Sequence, residues 1–175
     1  ELALADFQKF KIDGKNNRIN IKARSLEENR FYNVIRFWIG QNNFKMPTLE
    51  QINSIKKDVF GAGKDKKPYF SCSTYEIHRF KDTVEIMSPL KKHDPTIIYK
   101  WKKDEDLTIP SLSVKLRWQN LEQRLGREIK DNVEVRFRHK GQNIKVNSTK
   151  SLKDYMREKN IPPWERDRTI LIFIN

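Results

Sequence analysis

The chain has 175 residues, of which 37% are hydrophobic and 34% charged, and its 36 Lys+Arg against 23 Asp+Glu leave a net charge of +13. That length holds one medium domain or two small ones with modest cores, and an aromatic content of 11% excludes wholesale disorder. A balance this basic points to polyanionic partners, nucleic acid ahead of anionic membrane, with a merely solvated basic surface as the bland alternative.

Residues 1–10 read as the end of a helix, and the start at Glu1 without an initiator Met is what a piece of a longer protein would show. Asp13-Gly14 and Asn16-Asn17 are turn signals, and residues 18–22 alternate as a short strand. Ser25 with Glu28 predicts a capping box. The helix behind it carries Phe31, Val34, Ile35 and Trp38 on one stripe, and Gly40 suits its left-handed stop. Thr48 with Gln51 predicts a second capping box, on a helix lined by Leu49, Ile52, Ile55 and Val59 that ends before Gly61. A basic turn over 64–67 leads into strands over 69–73 and 75–87, in which Cys72 serves as a small hydrophobe and His78 faces solvent. Residues 1–90 are therefore expected to form a helical α+β domain with a β-hairpin or meander.

Residues 88–95, with two Pro and two Lys, suit a domain boundary. A strand follows over 97–101. Leu112, Val114, Leu116 and Trp118 alternate as another, and Leu121, Leu125 and Ile129 space as a short helix that Gly126 weakens. Val133, Val135 and Phe137 then alternate with Glu134, Arg136 and Arg138, the pattern of a half-buried strand. Gly141 turns the chain toward a second strand at Ile144 and Val146. Ser151 opens a helix bearing Leu152, Tyr155 and Met156, with Asp154 placed to complete a capping box and Pro162-Pro163 to end it. The run 170–174 is apolar enough for a strand buried on both faces. Residues 91–175 thus read as a basic β-β-α-β domain, and the fold class as α+β in two small domains. Charge divides unevenly: 16 Lys+Arg against 11 Asp+Glu in residues 1–90, and 20 against 12 in residues 91–175.

The sequence carries no recognisable catalytic centre. Gly61-Ala62-Gly63-Lys64 has the look of a phosphate loop, but it follows a helix rather than a strand, so a helix stop is the better reading. His78, His93 and His139 are far apart and lack Cys companions, which argues against zinc or any other metal centre. No Ser/His/Asp order suggests a triad. One Cys permits no internal disulfide and fits a reducing cytoplasm, and no run approaches the length of a membrane span.

The candidate site is a cation set. Arg136 and Arg138 share one face of their strand, Lys145 has the same parity on the next, and Lys140 lies in the turn between. Lys150 and Lys153 flank a helix start, where backbone N–H groups also favour an anion. Arg166 and Arg168 follow, Arg166 being equally suited to an internal ion-paired turn with Asp167. Such charges can match phosphates along a nucleic-acid backbone, against the reading of a solvated face neutralised by Glu134 and Asp154. Trp164 could stack on a base, though a core plug is the favoured role.

These same residues carry a resemblance. Val135-Arg136-Phe137-Arg138 with Gly141, the helix at Leu152-Lys153, and Pro162-Pro163-Trp164 with Arg166-Asp167 resemble the C-terminal domain of the tRNA(Ile)-lysidine synthase family in order and spacing. Arg36-Phe37-Trp38-Ile39-Gly40 and Met46-Pro47-Thr48 resemble the middle domain of the same enzymes. The resemblance implies the tRNA-binding half of an ATP-dependent ligase that joins lysine to the wobble cytidine of an isoleucine tRNA. ATP, with magnesium, and free lysine would then belong to an N-terminal domain, since the Ser-Gly-Gly-x-Asp-Ser loop that holds ATP in that family is absent. It implies a cytoplasmic, non-membrane protein and leaves room for a homodimer. The alternative is a stand-alone, non-catalytic RNA- or DNA-binding module.

Overall fold

The computed structural model describes residues 1–63, 66–138 and 150–174, and these divide into two compact units, Glu1–Leu90 and Lys91–Asn175. The class is α+β.

In the first unit, α1 (Leu2–Phe10) leads to β1 (Lys11–Ile12) and β2 (Lys15–Asn20). Asp13 and Gly14, at φ 53° and 65°, make the two-residue turn between them, a mirror-image turn that matches strand twist. A 3-10 turn (Ile21–Ser25) takes the place of the end of the expected strand, because the Asn20 side chain accepts from Lys22 N and bends the chain there. Two helices follow, α2 (Glu28–Gln41) and α3 (Leu49–Ser54), the second continuing into a π-helical turn (Ile55–Phe60). Strands β3 (Tyr69–Ser71), β4 (Glu76–Phe80) and β5 (Thr83–Met87) form the meander. The antiparallel sheet runs β1-β2-β5-β4-β3. Its inner face presents Ile19, Ile77, Val84 and Ile86 to Phe31, Ile35, Trp38 and Ile39 of α2 and to Ile52, Ile55, Val59 and Phe60, all buried.

Several local expectations fail for identifiable reasons. The Ser25–Glu28 capping box does not form: Ser25 Oγ donates to Lys22 O within the 3-10 turn, and Glu27 caps α2 without a side-chain bond. Gly40 remains helical. The left-handed residue is Asn43 (φ 59°), and Phe44 N closes the end on Ile39 O at 3.3 Å. Leu49 is 51% exposed, since it lies in the first turn, outside the stripe of Ile52, Ile55 and Val59. His78 is half-buried rather than open to solvent, held by Glu76 Oε2 at 2.9 Å. The Thr48–Gln51 box forms in full: Gln51 N donates to Thr48 Oγ1 at 3.2 Å, and Thr48 N to Gln51 Oε1 at 3.0 Å.

In the second unit, β6 (Tyr99–Trp101), β9 (Val133–Phe137) and β10 (Ile170–Phe173) make a sheet in the order β10-β9-β6, while β7 (Leu107–Ile109) pairs with β8 (Val114–Leu116). The helices are α4 (Trp118–Leu125), α5 (Leu152–Glu158) and α6 (Pro163–Arg166). The expected strand through residues 112–118 is cut short at both ends: Leu112 closes a 3-10 turn and Trp118 opens α4. Gly126 (φ 64°) is the left-handed cap of α4, so it ends that helix rather than weakening it. Trp101 and Trp118 meet edge to face at 5.3 Å in a core shared with Ile109, Leu121, Ile129, Val133, Val135 and Phe137. β10 is not buried on both faces: it flanks β9, and Ile172 is exposed. α5 ends at Glu158, before the prolines, and Pro163 instead opens α6. The expected turn at Gly141 and strand at Ile144 and Val146 lie outside the described residues.

Two outcomes test this packing. Thr48→Ala should cost about 1 kcal/mol of stability in urea denaturation, because it removes one half of the cap. Arg30 donates to both carboxylate oxygens of Asp6, joining α1 to α2, and holds that carboxyl below its usual range. Because the folded-state pKa is depressed, the stability from this pair is present at neutral pH and lost as pH falls through the lowered value. The urea midpoint of Asp6→Asn should therefore fall less between pH 7 and pH 3 than that of the wild type.

Candidate nucleic-acid interface

Of the candidate cations, Arg136 lies on the side of the second unit's sheet opposite the core. β9 is the middle strand, and its alternation sends Val133, Val135 and Phe137 inward and Glu134 and Arg136 outward. Cross-strand register puts Lys100 of β6 opposite Glu134, with Leu171 opposite Arg136 and Phe173 opposite Glu134 on β10. Arg136 is fixed twice over: its Nε donates to Glu134 Oε2 at 2.9 Å, and its guanidinium carbon lies 4.8 Å from the centre of the Phe173 ring. Just past the strand, Arg138 Nη1 stands 3.6 Å from Asp167 Oδ1.

A second cluster gathers around the α5–α6 corner. Ser151 caps α5, with Asp154 N donating to Ser151 Oγ at 3.1 Å, while the Asp154 carboxylate takes the Ser151 hydroxyl at 2.6 Å. Arg166 Nε donates to Ile161 O at 2.9 Å. Burial, and after it repulsion from the Arg138 and Arg157 guanidiniums, lower the Arg166 pKa, with Asp167 acting the other way. Lys150 is paired with Glu158 Oε2 at 2.5 Å, and Arg157 Nη1 is 3.9 Å from Asp154 Oδ1. Lys153 is exposed on α5, four residues before Arg157.

Of the eight residues named from sequence, Arg136, Arg138 and Arg166 are associated through the sheet and its neighbouring corner, and Lys150 and Lys153 stand at the start of α5. Arg168 is committed elsewhere: it donates to the carbonyls of Ser111, at 3.3 Å, and Lys91, bracing backbone rather than facing outward. His93 supports the same brace, contacting Ser111 Oγ and Asp167 O at 2.9 Å each over the edge of Phe137. Lys140 and Lys145 lie outside the described residues. Lys100 and Arg157 were missed. Lys100 becomes visible only once β6 is known to pair with β9, whereas Arg157 shows in sequence as the residue one helical turn after Lys153. Trp164 is half-buried in α6 and stands outside the buried core cluster.

Among the described residues, no group of three or more His, Cys, Asp or Glu could hold a metal ion. The loop at Gly61-Ala62-Gly63 has the wrong polarity for a phosphate. Arg79, almost fully buried, donates to the carbonyls of Val59 at 2.7 Å, Ala62 at 2.7 Å and Gly63 at 2.9 Å. Carbonyls turned onto an arginine make a helix stop, as its position after a helix predicts. Gly61 is required there, because an added Cβ would lie 2.8 Å from Lys57 O. No described helix is long and apolar enough to cross a membrane.

Two α+β units follow one another along the chain, and the second sets Lys100 and Arg136 on the outer face of its sheet. Comparison with known proteins gives these units a family. Residues 23–85 match the family model described as the TilS substrate binding domain, and residues 133–175 match the TilS substrate C-terminal domain. The chain is 31% identical to the tRNA(Ile)-lysidine synthase of Coxiella burnetii over 182 residues, covering 99% of this chain and 39% of that protein. It is 30% identical over 154 residues to the tRNA(Ile)-lysidine synthase of Legionella pneumophila (strain Paris), covering 87% of this chain and 36% of that protein. It is 24% identical over 172 residues to the enzyme of that name from Buchnera aphidicola subsp. Acyrthosiphon pisum, covering 97% and 39%. The chain belongs to the tRNA(Ile)-lysidine synthase family and corresponds to the C-terminal part of its members, spanning about two fifths of the length of the curated relatives it matches.

The sheet face is separable from the core. Changing Arg136 and Arg138 together to Ala removes a partly exposed ion pair and one longer contact, so stability should shift by no more than about 1 kcal/mol. RNA binding should weaken, and its salt dependence should fall by about two units of slope. Glu134→Gln, which removes the carboxylate competing for Arg136, should tighten binding. Thermal melts and filter binding across a salt series read both effects.

Proposed function

We propose that this chain is the tRNA-binding part of a tRNA(Ile)-lysidine synthase, a ligase that uses ATP to join free lysine to the wobble cytidine of an isoleucine tRNA. The observation that carries this reading is the succession of two substrate-domain matches along a chain whose second unit presents Arg136, Arg138, Lys100 and the α5–α6 cations outward. The relatives' names suggest the enzyme, and the electrostatics suggest the role: neutralising phosphates holds and orients an RNA regardless of sequence. In this reading residues 1–90 are the middle domain and residues 91–175 the C-terminal domain. Lysine, ATP and magnesium are handled by the portion of the relatives that this chain does not cover, and the whole protein works in the cytoplasm. Lys140, Lys145, Lys150, Lys153 and Arg166 extend the phosphate-binding set, while Arg168 serves it by bracing the Asp167 turn that Arg138 leans on.

The purified chain should bind an isoleucine tRNA transcript and turn over no ATP. Affinity should fall on the order of a hundredfold between 50 and 200 mM salt, as expected for about four phosphate contacts. A nearly flat salt response would remove the phosphate model, and ATP hydrolysis by this chain would show that it carries more than substrate grip.

A further inference from the structure

The outer face of the five-stranded sheet in the first unit has no role in the reading above. Cross-strand partners share a face, so Tyr69 of β3, His78 of β4, Glu85 of β5 and Arg18 of β2 form one row across the sheet. Two pairs along the row meet side chain to side chain. The Tyr69 and His78 rings stack, with centroids 5.7 Å apart and planes 18° from parallel. His78 Nε2 is held by Glu76 Oε2 at 2.9 Å, and Arg18 Nη2 meets Glu85 Oε2 at 3.0 Å. Glu85 also accepts from Asn17 Nδ2 at 2.9 Å.

Tyr69 ends this row and is 60% exposed. Among the described residues it is the only exposed Phe, Trp or Tyr. One ring face is covered by an imidazole that a carboxylate fixes in turn, so the ring's orientation is set before any ligand arrives. Cations lie on neighbouring stretches of the chain. Lys66 and Lys67 are exposed just ahead of it, and Lys81 lies over the Phe80 ring at 5.6 Å, Phe80 being on the same face of β4 as His78. A rigid open aromatic face beside flexible cations is the combination by which proteins hold unpaired nucleotides, the ring stacking the base and the cations meeting the backbone.

We propose that the open face of Tyr69 stacks an unpaired nucleobase of RNA, with Lys66, Lys67 and Lys81 receiving the flanking phosphates. The proposal rests on the RNA-binding reading given above but names a different face and a different interaction. Stacking is tolerant of base identity, since every base has a π-face.

The test uses the full chain with three probes: a tRNA transcript, a short oligouridylate, and the abasic ribose-phosphate backbone of the same length. Tyr69→Ala should weaken binding of the first two by about tenfold and leave the salt slope unchanged, because no charge is removed. The abasic backbone should bind wild type and variant alike, and Tyr69→Phe should retain wild-type affinity for all three. Wild-type affinity of Tyr69→Ala for oligouridylate, or an equal loss in Tyr69→Phe, would overturn the stacking role while leaving the phosphate face of the second unit intact. Failure of the wild-type chain to bind any RNA would remove both readings.

Discussion

The two-residue alternation of β9 is the constraint on which the second unit depends. Val133, Val135 and Phe137 supply three of its buried core side chains, and β6 and β10 both pair with this strand. The same alternation leaves Glu134 and Arg136 no choice but the outer face. Sliding the register by one residue would put a guanidinium among Trp101 and Trp118, so packing energy fixes where the charge stands. In this sense the core positions the interface: what holds the unit together also aims its cations.

Massing positive charge is unfavourable by itself, and the fold answers with carboxylates. Glu134 holds Arg136, Asp167 faces Arg138, Glu158 holds Lys150 and Asp154 lies near Arg157. These partners limit self-repulsion in the unbound protein and keep long side chains in defined rotamers. A phosphate arriving at the face must compete with them, which lowers affinity relative to a bare cation set but reduces the ordering cost on binding. Arg136 is held on two sides, by Glu134 and by the Phe173 ring 4.8 Å from its guanidinium carbon, which limits the directions from which a phosphate can reach it.

The sequence was most legible where period and burial agree. Val133, Val135 and Phe137, the Phe31-to-Trp38 stripe and the Thr48–Gln51 box follow from spacing alone, because each depends on residues within a few positions. Ser25–Glu28 satisfied the same pattern and failed, since a competing local bond, Ser25 Oγ to Lys22 O, claimed the hydroxyl. Trp118 misled because a strand's alternation continued one residue into a helix. What no spacing rule could give is long range. Arg168 reads as a ligand group in sequence because nothing in its neighbourhood shows that carbonyls 57 and 77 residues away receive its N–H groups. Lys100 was overlooked for the same reason, its place on the cation face being set by pairing with a strand more than thirty residues later.

Phosphate contacts explain grip but not choice. Every tRNA offers nearly the same backbone, so a face of guanidiniums and ammoniums registers shape and spacing and leaves base identity unread. A ring such as Tyr69 adds a different kind of discrimination. It rewards a base that is already out of its stack, because pulling a paired base free costs several kcal/mol that an unpaired one does not owe. Loops and single-stranded ends would thereby be favoured over duplex at equal charge. Electrostatic attraction brings any RNA near the protein, and the aromatic contact selects among the conformations that arrive. In the proposed role a charged face and an aromatic platform therefore answer separate needs, and the sheet alternation that builds each keeps it clear of its own core.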